Sequence, residues 1–425
     1  MKRSFLIYPS PGLLVCLKRT IWLMAAPILL CSVSPSSLSS EFSATGLQQN
    51  DGENNSFNGS NGWRDDLEQK GVDLEADLTL ELAINTRGGL RKGSGLLGNL
   101  NLVTSIDSGK LGLWHGGTFS LYFLGNFGDD PTSFIGDTQA TSNIEAFDTF
   151  KLYEAWYEQS WQSGRFSLLL GLHDYNSEFD ALEYAGLFFN SSFGISPDIS
   201  QMGPSIFPTT ALGLRFRYEQ RKMYLLGALY DGVPGEPDDP RGTKIVLKKS
   251  DGLFYCAEVG ATPLEDDLSY YKLAIGCWFL DSNFEDFAGI KRSTNFGIYG
   301  IGELSVFTEV DPSQGLGVFL QAGYARADRN QISKYVGVGL NYAGLLPGRN
   351  SDVFGFGIAH ARNGELFLNA NSGLEKGETA VECTYSVDSG SSVTFQADAQ
   401  IVIDPSMDAS VRNALQLALR VGLAF

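Results

Sequence analysis

Residues 415–425 read LQLALRVGLAF. The odd positions Leu415, Leu417, Leu419, Val421, Leu423 and Phe425 are all apolar, while Gln416, Ala418, Arg420, Gly422 and Ala424 between them are polar or small. Successive side chains of a strand point to opposite faces, so this is a strand with one wholly apolar face. An apolar ladder on an open edge strand invites aggregation; closing the sheet into a barrel removes the edge. The expectation is a barrel whose apolar face meets lipid.

The same period recurs upstream. At 72–82, Asp73, Glu75, Asp77, Thr79 and Glu81 oppose Val72, Leu74, Ala76, Leu78, Leu80 and Leu82. Leu214, Phe216 and Tyr218 oppose Arg215, Arg217 and Glu219. At 393–403, Val393, Phe395, Ala397, Ala399, Ile401 and Ile403 oppose Thr394, Gln396, Asp398 and Gln400. Sixteen such segments can be marked, near 72–82, 96–103, 118–124, 149–160, 165–173, 211–219, 222–230, 253–260, 270–279, 296–306, 316–325, 335–343, 353–361, 378–387, 392–402 and 413–425. Several run about ten residues, the length that crosses an outer membrane at a tilt. The fold class is therefore all-β: a transmembrane antiparallel β-barrel of 16 strands over residues 63–425. Short and long gaps alternate loosely. Residues 219–222 (EQRK) form a tight turn, 175–209 is long enough to fold inward as a constriction loop, and 231–251 is a second long loop rich in Pro and Asp.

The first forty residues read as a secretory signal. Lys2, Arg3, Lys18 and Arg19 supply positive charge, 21–30 (IWLMAAPILL) is a short apolar run, and small residues follow. That run suits a signal h-region rather than a spanning helix. Residues 41–62, rich in Asn, Gly and Ser, form a flexible arm. No other stretch is long and apolar enough to span as a helix. An exported chain of this kind is either soluble or a barrel.

Composition agrees. The 425 residues include 49 Gly, 28 Phe and 17 Tyr, with only 19% charged. Mean hydropathy is −0.06, as expected when lipid-facing and water-facing residues alternate and cancel. Net charge is −18, and removing residues 1–40 leaves 27 cations against 49 acids, or −22. So acidic a chain is a poor nucleic-acid ligand; its charge reads either as solubility with negatively charged loops or as a field that disfavours anionic cargo. Cys16, Cys31, Cys256, Cys277 and Cys383 make no CxxC or Cys/His cluster, so no structural zinc is implied. His115, His173 and His360 are the only histidines. His173 and Asp174 adjoin, but neighbours on a strand point apart and make no ready dyad. No GxSxG, HExxH or P-loop is present. Neither catalysis nor a cofactor is expected.

Several motifs resemble the carbohydrate-selective porins of the OprB type. They begin with Gly62-Trp63-Arg64, Leu67 and Lys70-Gly71-Val72, then Leu113 with Gly116-Gly117-Thr118-Phe119. The stretch from Leu152 through Tyr153, Glu154, Ala155, Trp156, Tyr157 and Glu158 to Gln159 is similar to the family's Leu-Tyr-Glu-x-Trp-x-x-Gln strand. Leu170-Gly171-Leu172, Phe188-Phe189-Asn190-Ser191-Ser192-Phe193, and Pro208 with Ala211-Leu212-Gly213 follow in family order. So do Gly323-Tyr324, Asp328-Arg329-Asn330, Gly344-Leu345-Leu346, Arg349 with Asp352, and Gln400 with Asp404-Pro405. The order along nearly all of the mature chain is the specific part. Ile301-Gly302-Glu303 and the Gln396, Asp398, Gln400 segment depart from the family pattern. The resemblance implies a bacterial outer-membrane pore for passive diffusion of mono- and oligosaccharides. Its surroundings would be outer-membrane lipid and the barrel-assembly machinery, as a homotrimer or a monomer.

Sugar passage needs hydroxyl partners, aromatic faces and weak binding. By phase, Glu154, Trp156 and Glu158 face the lumen, with Trp156 a candidate stacking platform or a packing residue under a loop. Arg215, Arg217 and Glu219 join them as a transverse charge arrangement or a salt-bridged wall. Asp73, Glu75, Asp77 and Glu81 read as water-lining acids, and Arg420 is placed to pair with them where the last strand closes on the first. Phe188, Phe189 and Phe193 form an apolar constriction or anchor their loop. Tyr153, Tyr157, Tyr218 and Phe425 are expected in the interface girdles, with Phe425 serving membrane assembly. The competing functions are a general non-selective porin or adhesin on the same barrel, and an exported soluble sugar-binding β protein.

Overall fold

Alternation along each chain segment builds a closed sheet in the computed structural model, which describes residues 62–263, 270–390 and 392–425. A helix α1 (Gly62–Gln69) leads into sixteen strands. They are β1 (Val72–Gly89), β2 (Gly93–Asp107), β3 (Gly117–Gly128), β4 (Thr149–Trp161), β5 (Phe166–His173), β6 (Ala211–Gln220), β7 (Met223–Asp231) and β8 (Leu253–Ala261). Then come β9 (Tyr271–Glu285), β10 (Lys291–Thr308), β11 (Gly315–Ala325), β12 (Ile332–Ala343), β13 (Val353–Asn363), β14 (Gly377–Asp388), β15 (Val393–Ile403) and β16 (Arg412–Ala424). Each pairs antiparallel with its neighbour in sequence, and β1 pairs with β16, so the barrel has no free edge. Every marked segment is a strand. The main difference is length: β1 runs on to Gly89, and β10 begins at Lys291 rather than near 296. The helix α1 has no period-2 signal. The leader and most of the 41–62 arm lie outside the described residues.

Register sorts the two faces. Glu81 pairs with Arg420 and with Leu97, all inward; Leu82 pairs with Leu419 and Leu96, all outward. The outward column is apolar and uncovered, as a lipid-facing surface requires: Leu419 is 59% exposed and Ile275 69%. Aromatics gather at the end that carries the first residue of β1 and the last of β16. There Leu316, Tyr342, Phe354 and Tyr385 are register neighbours, and Phe119 packs 4.7 Å from Tyr157. Tyr218 pairs with Phe166 at the same end, and Phe425 is exposed. Helix α1 is fastened there too: the Arg64 guanidinium donates to the carbonyls of Leu74 and, at 2.7 Å, Phe425.

Tyr153 corrects the girdle expectation. The β3–β4 register steps from Tyr122↔Glu154 to Phe123↔Leu152, which leaves Tyr153 as the extra residue of a β-bulge. Its ring is buried, 4.9 Å from Tyr122, and its hydroxyl donates to Asp174. A bulge shifts phase by one residue, so strict alternation counted across it sends Tyr153 to the wrong face.

Candidate functional site

A loop that enters a barrel brings backbone N–H and C=O groups that no ladder satisfies, and each needs a partner. The β5–β6 connection enters in this way. Phe179, Phe188, Phe189, Phe193, Ile199 and Asp180 within it are at most 1% exposed. The partners come from lumen-facing wall side chains. The Glu258 carboxylate on β8 accepts from the Asp180 N–H at 3.0 Å. Glu303 on β10 accepts from Glu183 at 3.1 Å and Tyr184 at 2.9 Å. Glu382 on β14 accepts from Phe189 at 2.6 Å and Asn190 at 2.9 Å. Loop carbonyls are met in turn by amides and a hydroxyl: Gln321 donates to Phe193, Gln396 to Leu187, Asn341 to Tyr184 and the Tyr335 hydroxyl to Ser192. The β3–β4 loop is held likewise, with Glu378 on β14 accepting from Thr138 and Gln139 of that loop and from Ser406 of the β15–β16 connection.

Charged groups named from the sequence join this bracing. Arg215 is 0% exposed and sits between Glu158 at 2.8 Å and Glu178 at 2.7 Å, the latter on the inward loop. Glu154 accepts the Asp174 N–H at 2.7 Å and the Trp156 indole N–H at 3.1 Å. Trp156 is 6% exposed, with its ring against His173. Arg420 bonds Glu81 at 2.6 Å and Asn143 at 2.7 Å, with its guanidinium 3.8 Å from the Phe189 ring centroid. Glu81 is therefore a buried bracing acid, which departs from the water-lining expectation for it. Phe188 and Phe193 pack 5.4 and 5.7 Å from Phe319 on β11, an anchoring arrangement.

A second set of luminal charges keeps contact with solvent. Arg217 and Glu219 pair with each other and retain 20% and 42% of side-chain exposure, with Arg217 over the Tyr224 ring. Asp73, Glu75 and Asp77 are exposed or half-buried at the same end of the barrel. The lumen thus has a middle narrowed by loops that wall side chains hold, and a charged vestibule toward the end with helix α1.

Burial tunes the loop acids. It pushes the Asp180 carboxyl up to about 7 and the Asp174 carboxyl up to about 6. For Glu178 burial acts upward as well, but the Arg215 guanidinium beside it holds the carboxyl below its ordinary value. Among the described residues no group of three or more His, Cys, Asp and Glu is arranged to hold a metal.

Glu258, Glu303, Glu378 and Glu382 were not singled out from the sequence. The available signal was phase: Glu258, for example, lies opposite Tyr255, Ala257 and Val259 in its strand. Phase gives a face, but not which luminal acids a loop will cover.

Residues 91–425 match the family model described as carbohydrate-selective porin, OprB family. Among solved structures, the high-pH structure of Pseudomonas putida OprB superposes with a TM-score of 0.77 at 20% identity, covering 86% of this chain and 96% of that one. The low-pH structure of the same protein gives 0.56 at 18% identity, covering 85% and 95%. The outer membrane channel DcaP of Acinetobacter baumannii gives 0.53 at 11% identity, covering 83% and 97%. No curated protein matches.

Proposed function

This chain belongs to the OprB family of carbohydrate-selective porins of the outer membrane, and on that premise we propose that it passes mono- and oligosaccharides by passive diffusion through a loop-narrowed lumen. The observation that carries this reading is the inward β5–β6 loop, bonded to wall side chains on β8, β10, β11, β12, β14 and β15. A loop held from so many sides defines a fixed cross-section. Selection of an uncharged polyol needs shape and weak polar contact rather than a strong site.

The solvent-touching charges give the second part. Arg217 and Glu219 line the path of the solute, and Asp73, Glu75 and Asp77 make the vestibule acidic, so neutral solutes are favoured over anions. Arg215, Glu154, Glu158, Trp156 and Arg420 act indirectly, by holding the loop. The loop end faces outward and the helix α1 end faces the periplasm. Transport is driven by the concentration gradient and has no chemical step.

Ion current through the refolded protein in a planar bilayer tests this. Oligosaccharide entering the narrow section should reduce the current in a concentration-dependent way, while a polyol of smaller diameter should not. A current indifferent to every saccharide would favour a general porin on the same barrel.

A further inference from the structure

Outward-facing residues at the loop end form ordered rows across β11, β12, β13 and β14. The row nearest mid-wall is Leu320, Val338, Ile358 and Val381, wholly apolar. One row toward the loops, Val336 pairs with His360 and His360 with Thr379. The next row places Lys334 directly opposite Arg362, with Tyr324 beside Lys334 and Gly377 beside Arg362. Tyr324, Lys334 and Arg362 are all exposed. Polarity thus changes from aliphatic to cationic within three rows, which is how a surface crosses from acyl chains into headgroups.

Like charges placed directly opposite on neighbouring strands repel and destabilise the pair. No ion pair and no side-chain hydrogen bond relieves Lys334 or Arg362 among the described residues. The adjoining loop residues Glu375 and Lys376 are both exposed and opposite in sign. In a chain with a net charge of −18, two unpaired cations in register on the lipid-facing side are out of keeping with the rest. An anion from outside the protein would relieve both. A phosphate fits: it accepts from both side chains at once, and Arg prefers oxyanions of that geometry. The exposed Tyr324 ring beside them offers a face to a sugar.

We propose that Lys334 and Arg362, flanked by Tyr324, bind the phosphate of a phosphorylated glycolipid of the outer leaflet. The site sits outside the barrel and is independent of the pore, so its failure and that of the sugar reading are separable. The test uses native mass spectrometry of the refolded protein in detergent with bis-phosphorylated lipid A or its dephosphorylated form. Wild type should retain the phosphorylated lipid about tenfold more, the ratio that roughly one charged hydrogen bond supplies. Lys334→Gln with Arg362→Gln should lose that preference, with bilayer conductance unchanged as the check on folding. Lys334→Arg with Arg362→Lys should keep it. Equal retention of both lipids by wild type, or an undiminished preference in the Gln variant, would overturn the assignment.

Discussion

Arg420 of β16 and Glu81 of β1 are register partners, and their side chains meet at 2.6 Å where the barrel closes. The same guanidinium reaches Asn143 and covers Phe189, so one residue joins the strand closure to both inward loops. Removing one member of a buried pair leaves the other charge uncompensated, at a cost of about 3 kcal/mol or more. Glu81→Ala should therefore lower the temperature at which the folded, fast-migrating gel band is lost, and Glu81→Gln should do so less. An unshifted transition in both variants would show that the pair does not hold the closure.

Arg215 and Arg217 share a face of β6 but differ in surroundings. Arg215→Ala strips a fully buried residue from between Glu158 and Glu178 and should destabilise the barrel strongly. Arg217→Ala removes a partly exposed ion pair with Glu219, worth about 0.5 kcal/mol. It should change solute flux while leaving thermal stability nearly untouched. Parallel melting curves and swelling rates separate these outcomes, and the reverse pattern would exchange the two roles.

Glu382→Ala leaves the N–H groups of Phe189 and Asn190 without their acceptor. Unsatisfied buried donors cost about 1–3 kcal/mol each. The loop should loosen, raising single-channel conductance and its noise. A quiet channel of unchanged conductance would mean that the remaining wall contacts suffice.

Asp180 gives a pH dependence with a definite sign. Burial raises its carboxyl from 3.8 to about 7, so the folded loop favours the protonated acid. That stability is fully present below about pH 4 and is lost as pH rises through about 7. The barrel should melt at higher temperature at pH 5 than at pH 8, and Asp180→Asn should flatten the difference between them. The same pH dependence in the variant would assign it to other acids.

The barrel was legible because lipid on one side and polar interior on the other impose strict alternation, as in 72–82 and 415–425. Glu154, Arg215 and Arg420, which phase sets on the polar face, are buried. Phase misplaces Tyr153, where a bulge adds one residue that no composition signal marks. The division of labour among luminal charges was not legible. Arg215 and Arg217 stand two residues apart and look alike in sequence; only the path of the β5–β6 loop buries the first and leaves the second in solvent. That path depends on contacts between residues far apart in the chain, such as Glu382 with Phe189.

Swelling of liposomes carrying the refolded protein measures carbohydrate selectivity itself. Glucose and a disaccharide would be compared with a neutral amino acid and an anionic metabolite of similar size. Sugar should enter faster than size alone allows, with the anion slowest. Entry ranked by size, with the anion keeping pace, would contradict carbohydrate selectivity and leave a general porin.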